Sequence, residues 1–193
     1  MNVTRAAIVV LTSAATVLPA TPAFSGEPAP ARPVAVGEAF PKLEGTFLSG
    51  RKAILPDAAA GKVALVMLGF TYKSRFAVEV WAGRFRSAWG GDPRVTLFEV
   101  PILDGAARLA RWFIDGGMRS GTPKELHENV ITVYGGVDRW KTVMGFARTG
   151  ADDAYLALLD REGRVVWLHH GEPQEQAFAA LKAAVAAAVG STF

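Results

Sequence analysis

The stretch from Lys62 to Trp89 constrains the fold more than any other part of the sequence. It begins with a nearly unbroken apolar run that ends at Phe70, and its bulky and β-branched side chains are typical of a central strand covered on both faces. After a short polar turn, large apolar residues recur at helical spacing: Val78, Trp81, Phe85 and Trp89. Open α/β sheets carry their sites at the carboxyl edge of such strands, so the turn is where a site is expected.

The candidate site is this turn together with the first residues of the helix: Thr71, Tyr72, Lys73, Ser74, Arg75 and Phe76. Lys73 and Arg75 beside free backbone donors could bind an anion. In the plainer interpretation, Ser74 caps the helix and both cations are solvated. The rings of Tyr72 and Phe76 either form an exposed contact for a partner or pack under the turn. The sequence leaves these alternatives open.

The buried strand, the Gly69-Phe70-Thr71 turn and the helix resemble the thioredoxin-like superfamily, whose members carry a Cys-x-x-Cys pair here. The resemblance places Lys73 and Phe76 at the cysteine positions, whereas the Sco-type copper chaperones would place them at Lys73 and Ala77. The chain contains no cysteine. Thiol exchange needs a sulfur nucleophile, so this composition excludes it, and neither pair could hold a soft metal.

The carboxyl-terminal part supplies a second point of resemblance. Residues 154–159 and 164–169 flank a turn and predict an antiparallel hairpin, which a helix over 173–189 follows. This unit resembles the end of the redoxin group, and is most similar to the mitochondrial F-type ATPase assembly-factor branch, whose active cysteines are also commonly absent. The resemblance implies an α/β thioredoxin-like three-layer sandwich: a mixed central sheet with a C-terminal β-hairpin and closing helix. Residues 150–154 lack the cis-proline of redox-active members and the histidine ligand of Sco-type proteins.

Between these parts, residues 95–103 predict a second strand, which makes a right-handed parallel unit with the first. Asp104 then predicts the cap of a helix that ends at Gly116-Gly117. That helix is expected to point Leu109, Trp112, Phe113 and Ile114 inward, and we interpret all five tryptophans as core.

The next segments are predicted from start signals and periodicity. Residues 122–125 have the pattern of a capping box and predict a short helix through His127. Residues 130–134 predict a short strand, and 137–146 a helix.

The first residues predict export. Residues 1–25 combine Arg5, an apolar segment from Ala6 to Val17 and small residues at two candidate cleavage sites, as in a secretory signal. An uncleaved membrane anchor is the alternative. Residues 26–38 are rich in proline and alanine and predict a linker, which leaves 39–193 as the thioredoxin-like domain. The expected location is periplasmic or secreted.

Charge and motifs exclude several functions. Basic and acidic residues number 21 and 18, without a basic run, which predicts no nucleic-acid binding and no strong membrane patch. Phosphate-binding, dinucleotide and hydrolase-elbow motifs are absent from the sequence. His169 and His170 point to opposite faces of a strand, and Asp152-Asp153 has the pattern of solvated loop acids. We therefore predict no metal, no cofactor and no catalytic residue.

The sequence thus favours a non-catalytic exported domain that acts by binding a protein, such as an assembly or chaperone factor for an envelope complex. One alternative is a small-anion-binding protein or enzyme that uses Lys73–Arg75. Another is a protein that is redoxin-like or peroxidase-like in fold alone.

Overall fold

A seven-stranded mixed sheet with helices on both faces forms the described part of the protein, residues 32–190 of a computed structural model. The predicted signal segment lies outside these residues. The strands are β1 (Leu43–Phe47), β2 (Lys52–Leu55), β3 (Val63–Gly69), β4 (Val95–Leu103), β5 (Ile131–Tyr134), β6 (Tyr155–Leu159) and β7 (Val165–His170). The helices are α1 (Ser74–Trp89), α2 (Arg111–Gly121), α3 (Val137–Val143) and α4 (Glu175–Gly190).

The predicted central strand is confirmed. The sheet order is β2-β1-β5-β4-β3-β6-β7, and β3 is buried at every position. It pairs in parallel with β4 and antiparallel with β6, so both of its edges are satisfied. The apolar run has no polar alternation because α1 and α4 cover one face and α3 covers the other.

The carboxyl-terminal unit is also confirmed. β6 and β7 form the expected antiparallel hairpin, with Tyr155 opposite His170, and α4 then packs back onto the sheet. On α1, Val78, Trp81 and Phe85 are buried as their spacing predicted. Trp81 also donates from its indole nitrogen to the carbonyl of Gly171 at 2.7 Å, which ties α1 to the end of the hairpin.

The prediction for the segment after β4 is wrong in three respects. Asp104 does cap the chain, because its carboxylate accepts from the backbone of Ala106, but it caps a 3₁₀ segment, residues 105–110. Helix α2 then continues past the glycines that were expected to end it. The large apolar residues do not face inward, since Leu109 in the 3₁₀ segment and Trp112 and Phe113 on α2 are 91%, 78% and 69% exposed, and Ile114 is half-buried.

The inner side of α2 is polar, which explains why its large apolar side chains face solvent. Arg111 donates to the hydroxyl of Thr46 on β1 at 2.7 Å, and Asp115 accepts from the hydroxyl of Tyr134 on β5 at 2.7 Å. Arg119 donates to the carbonyl of Leu48. These bonds fix the polar side against the sheet, so the aromatic side, including Trp112, points to solvent rather than into a core.

Two shorter predictions need correction. The capping box at 122–125 is not formed, because no side chain caps this turn and only a 3₁₀ segment, Lys124–Leu126, follows Pro123. Helix α3 ends at Val143 rather than 146, since Gly145 turns the chain with a φ of 64°, which favours glycine.

Residues 32–38, at the end of the predicted linker, pack onto the sheet. The amide of Val34 donates to Val143, and Gly37 and Glu38 exchange backbone hydrogen bonds with Val165. Val34 itself is 9% exposed and belongs to the core beside α3. Among the described residues, no helix is both long and apolar enough to span a membrane.

Candidate functional site

The turn between β3 and α1 is built around a close approach of Gly69 and Ser74. A Cβ atom at Gly69 would lie 2.5 Å from the hydroxyl oxygen of Ser74, so only glycine fits at the end of this strand. Ser74 is 1% exposed and opens α1 directly above that glycine. The start of the helix is therefore seated on the end of the strand.

Ser74 is a buried anchor rather than the helix cap that the plainer interpretation predicted. Its hydroxyl donates to the carbonyl of Thr71 at 2.7 Å and accepts from the amide of Thr71 at 3.3 Å. The capping group is the hydroxyl of Thr71, which accepts from the amide of Ser74 at 3.1 Å. The same hydroxyl donates to the carboxylate of Asp152 at 2.7 Å. Each of the two hydroxyls thereby donates one hydrogen bond and accepts another.

This geometry adds a second candidate pair for the cysteine positions. A disulfide needs two Cβ atoms about 3.5–4.5 Å apart, so the side chains that replace the thiols should face each other. Thr71 and Ser74 have the i, i+3 spacing and are mutually hydrogen-bonded. Lys73 and Phe76 are both exposed and point to solvent. The structure thus offers Thr71 and Ser74 as a second candidate pair with the same spacing, beside Lys73 and Phe76, which the resemblance indicated.

The loop before β6 forms the other side of the site, and sequence reasoning missed its role. Asp152 and Asp153 were interpreted as solvated acids, yet each is engaged. Asp152 bonds to Thr71, and Asp153 lies 2.8 Å from Nδ1 of His170. In the sequence these contacts are indicated only by two acids just before β6 and two histidines at the end of β7, which the antiparallel pairing of the strands brings to the same end of the hairpin.

An aromatic cluster supports both loops from below. Tyr155 is fully buried, and its hydroxyl donates to the carbonyl of Gly150 at 3.0 Å. Burial raises the pKa of this phenol, so it stays a hydrogen-bond donor at neutral pH. Its ring contacts Phe70, Phe146 and His170, with centroids 5.4–5.5 Å away. The cluster fixes the loop before β6 beside the turn.

The outer surface of the turn exposes two aromatic rings. Tyr72 is 75% and Phe76 53% exposed, so the two rings lie on the surface rather than packing under the turn. The guanidinium carbon of Arg75 lies 4.6 Å from the centroid of the Tyr72 ring and 4.7 Å from that of Phe76. This cation–π arrangement orders both rings while leaving their outer faces accessible.

The same contacts disfavour an anion site at Lys73–Arg75. Arg75 is engaged by the rings, and the hydroxyl of Thr71 already occupies the amide of Ser74. The carboxylate of Asp152 also places a negative charge at the start of α1, where it interacts favourably with the helix dipole and repels a second anion.

The adjacent histidines do not converge on a metal. His169 packs against the rings of Trp81 and Trp167, whereas His170 stacks on Tyr155 and pairs with Asp153. Burial lowers the pKa of His169, and the neighbouring His170 lowers it further. Within residues 32–190, no three histidine, aspartate or glutamate side chains are grouped to hold a metal ion.

Comparisons with known proteins identify the fold but no family. No family model matches the sequence, and no curated protein matches it either. A solved structure from Bacteroides thetaiotaomicron, assigned as a protein disulfide isomerase, is 18% identical with a TM-score of 0.56, and the match covers 82% of this chain and 92% of that one.

Two further solved structures give the same result. One, from Chlorobium tepidum and assigned as the thiol:disulfide interchange protein DsbE, is 19% identical with a TM-score of 0.54, covering 81% of this chain and 99% of that chain. An uncharacterised conserved protein from Geobacillus kaustophilus is 16% identical with a TM-score of 0.53, covering 82% and 86%. The predicted fold class is confirmed: this chain has a thioredoxin-like fold, related in structure to thiol-disulfide interchange proteins, and it contains no cysteine.

Proposed function

We propose that this protein is a non-catalytic thioredoxin-like domain that binds a protein partner through Tyr72, Arg75 and Phe76. The observation that carries the proposal is the exposed pair of rings ordered by one guanidinium at the degenerate active-site turn. Tyrosine and arginine are among the residues that dominate binding energy at protein interfaces. Because the two rings are already ordered, they lose little further conformational entropy when a partner binds.

The absence of thiols supports binding over catalysis. Hydroxyl groups stand at 71 and 74, and their hydrogen bonds to the backbone of the turn and to Asp152 hold the turn in place. The hydroxyl of Ser74 is buried and bonds only to the backbone of Thr71, so it is not placed to act as a nucleophile. The wild-type chain should therefore neither reduce insulin nor consume peroxide, and measurable turnover in either assay would contradict the proposal.

The partner class and location follow from the remaining features of the sequence. The apolar segment at Ala6–Val17 favours export to the periplasm or beyond. The resemblance to the F-type ATPase assembly-factor branch, in which cysteines are also lost, favours assembly or chaperoning of an envelope complex. The partner is accordingly a protein component of such a complex, and it meets the turn at residues 71–76.

Site-directed crosslinking tests this function directly. Because the chain has no cysteine, Tyr72→Cys creates a unique attachment point for a photoactivatable maleimide. Crosslinking in whole cells should give one discrete adduct, identified by mass spectrometry. The adduct should weaken when Phe76→Ala is added, because that change removes the neighbouring ring without touching the attachment point.

Val36→Cys is the matched control, since Val36 is also an exposed apolar residue, at 62%, on a different part of the surface. It should not give the same adduct. Equal adducts from both positions, or none from position 72, would show that the turn is not a binding surface.

A further inference from the structure

The segment after β4 exposes a second apolar surface, which we name the α2 patch and define as Leu109, Trp112 and Phe113. Their exposed fractions are 91%, 78% and 69%, which is unusual for side chains of this size. The two aromatic rings touch each other, with centroids 5.9 Å apart. Such a patch marks a site of interaction with another molecule or a membrane.

The patch is held outward by a specific structure. Asp115, on the inner side of α2, is 4% exposed and bonds both to Tyr134 and to Arg111. Rotating the helix to bury the patch would break these bonds and leave the hydroxyls of Thr46 and Tyr134 without these partners beneath the helix. The exposure of Trp112 and Phe113 is therefore fixed by the sheet beneath.

The α2 patch lies on the same side of the sheet as the turn. Thr46 and Tyr134 contact α2, and they alternate along their strands with Phe47 and Val133, which face α3. Helix α2 therefore lies on the face opposite α3, together with α1. Both helices follow the carboxyl ends of neighbouring parallel strands, β3 and β4.

The charges around the patch are positive. Arg108 donates to the carbonyl of Tyr134 at 3.0 Å, and Arg119 donates to the carbonyl of Leu48 at 2.5 Å. Neutral carbonyls hold the two guanidinium groups in place without cancelling their charge. The one acid on the helix, Asp115, is buried and paired with Arg111. The exposed charged residues of the segment 105–121, which carries the patch, are thus Arg108 and Arg119, and both are positive.

We propose that the α2 patch docks the protein onto an anionic phospholipid surface. Tryptophan, phenylalanine and leucine on one side of a helix, flanked by arginines, are the composition of interfacial membrane-binding helices. Trp112 and Phe113 enter the boundary between headgroups and acyl chains, while Arg108 and Arg119 contact lipid phosphates. This docking is independent of the partner proposed for the turn.

A lipid surface fits the patch better than a second copy or another protein. Aromatic side chains bury about 150–250 Å² each, whereas a stable protein interface takes about 800 Å² from each partner. Two rings and one leucine fall short of that area. A bilayer needs no matching surface, so a small protruding patch is sufficient. The charge balance of the whole sequence did not indicate this surface, because its apolar residues were predicted to be core.

Vesicle binding tests the proposal. The full chain is mixed with vesicles of phosphatidylcholine alone or with phosphatidylglycerol added, and bound protein is measured by flotation. Binding should require the anionic lipid and should fall to background in the combined variant Leu109→Ser, Trp112→Ser, Phe113→Ser. Val36→Ser is the matched control and should bind as wild type. Residues 1–31 are identical in all variants, so any contribution of the segment Ala6–Val17 is common to them.

The arginines have their own expected effect. A basic residue near an anionic membrane contributes about 1 kcal/mol, so Arg108→Gln and Arg119→Gln should each weaken binding about fivefold, and high salt should do the same. A cysteine introduced as Phe113→Cys and labelled with a polarity-sensitive dye should report an apolar environment on anionic vesicles. The same dye at Val36→Cys should report no change.

Three outcomes would overturn the proposal. The dye at position 113 could be unaffected by vesicles while flotation persists, which would assign membrane binding to residues 1–31. Sedimentation could show self-association without lipid that the combined variant abolishes, which would assign the patch to a second copy. Loss of a discrete crosslink to an envelope protein, without any vesicle binding, would assign it to a protein partner. In each case, circular dichroism establishes that the variants are folded.

Discussion

Thr71 and Asp152 are joined by a hydrogen bond of 2.7 Å between hydroxyl and carboxylate, although the chain between them contains two strands, β4 and β5, and the three helices α1, α2 and α3. The same hydroxyl caps α1 by accepting from the amide of Ser74. One side chain thus connects the start of the helix to the loop before β6. The two sides of the candidate site are held together by this contact rather than by a disulfide.

Replacing Thr71 should destabilise the protein and loosen the site. Thr71→Val keeps the shape but removes the cap and the bond to Asp152, and loss of a cap typically costs about 1 kcal/mol. Thr71→Ser keeps the hydroxyl and is the control, expected to stay close to wild type. Urea unfolding of Thr71→Val, Asp152→Asn and the double variant measures their coupling. If the changes in the free energy of unfolding caused by Thr71→Val and Asp152→Asn simply added in the double variant, the bond between the two residues would contribute nothing to stability.

Asp115 should be required for the position of α2. Asp115→Ala removes the acceptor of Tyr134 and Arg111, and an unsatisfied buried group costs about 1–3 kcal/mol. Asp115→Asn retains a neutral acceptor and should cost less. Amide hydrogen exchange over 111–121 should accelerate in the alanine variant. The exposed Glu79→Ala provides a control that should leave both stability and exchange unchanged. Unchanged exchange in Asp115→Ala would mean that other contacts hold the helix.

Tyr134 gives an independent measure of the same contact. Burial raises the pKa of Tyr134, and its bond to Asp115 raises it further. Asp115→Asn should therefore lower that pKa, because it removes the negative charge that opposes ionisation of the phenol. Alkaline spectrophotometric titration measures the change. A titration curve identical to that of the wild type would contradict the contact.

The sequence predicted the central strand, α1 and the hairpin because their patterns are set by burial. β3 is apolar throughout, and the spacing of Trp81 and Phe85 reports which side of α1 meets the sheet. The prediction from the sequence was wrong at α2, because Trp112 and Phe113 were expected to face the core. Their true orientation depends on the partner of Arg111 on β1 and the partner of Asp115 on β5, and no local pattern in the sequence reveals those partners.

The candidate turn was located correctly, but its internal geometry was not predicted. Sequence spacing could not decide which pair replaces the cysteines, since 71/74 and 73/76 are both three apart. The choice depends on where Ser74 lies relative to Gly69, a distance that only the fold determines. The role of Asp152 was hidden for a similar reason, because the pairing of β3 with β6 brings its loop to the turn.

His169 should make the protein less stable in mildly acidic solution. Its folded-state pKa lies below the unfolded value of about 6.5, so the unfolded chain binds a proton more readily. Stability is therefore complete above that pH and falls as the pH decreases through it toward the folded-state pKa. The titratable groups that influence the pKa of His169 are His170, which lowers it, and Asp153, which raises it, and a hydrogen bond with the backbone of Glu172 raises it as well.

Urea midpoints measured from neutral pH to pH about 5 should fall in wild type, and fall less in His169→Gln, which cannot be protonated. His127→Gln is the control, because His127 lies before β5 and contacts the carbonyl of Thr122. An equal pH dependence in wild type and His169→Gln would exclude this histidine as the cause.

Restoring thiols should identify which positions correspond to the lost cysteines. In the variant Thr71→Cys, Ser74→Cys, each sulfur replaces a hydroxyl that bonds to the backbone of the other residue, so mild oxidation should close a disulfide. The matched variant Lys73→Cys, Phe76→Cys replaces side chains that point to solvent and should retain free thiols under the same conditions. Free-thiol titration and mass spectrometry distinguish the two outcomes. If a disulfide formed only in the 73/76 variant, Lys73 and Phe76 would correspond to the cysteine positions, as the sequence resemblance indicated.

The reactivity of the restored thiol at position 71 should depend on Asp152. A helix amino terminus lowers the pKa of a cysteine, whereas a neighbouring carboxylate raises it because it disfavours the thiolate. Asp152 lies against this position in the wild-type protein. Adding Asp152→Asn to the 71/74 variant should therefore lower the thiol pKa and accelerate alkylation near neutral pH, as followed with iodoacetamide. If Asp152→Asn left the alkylation rate unchanged, the carboxylate would not be the group that sets the electrostatics of this turn.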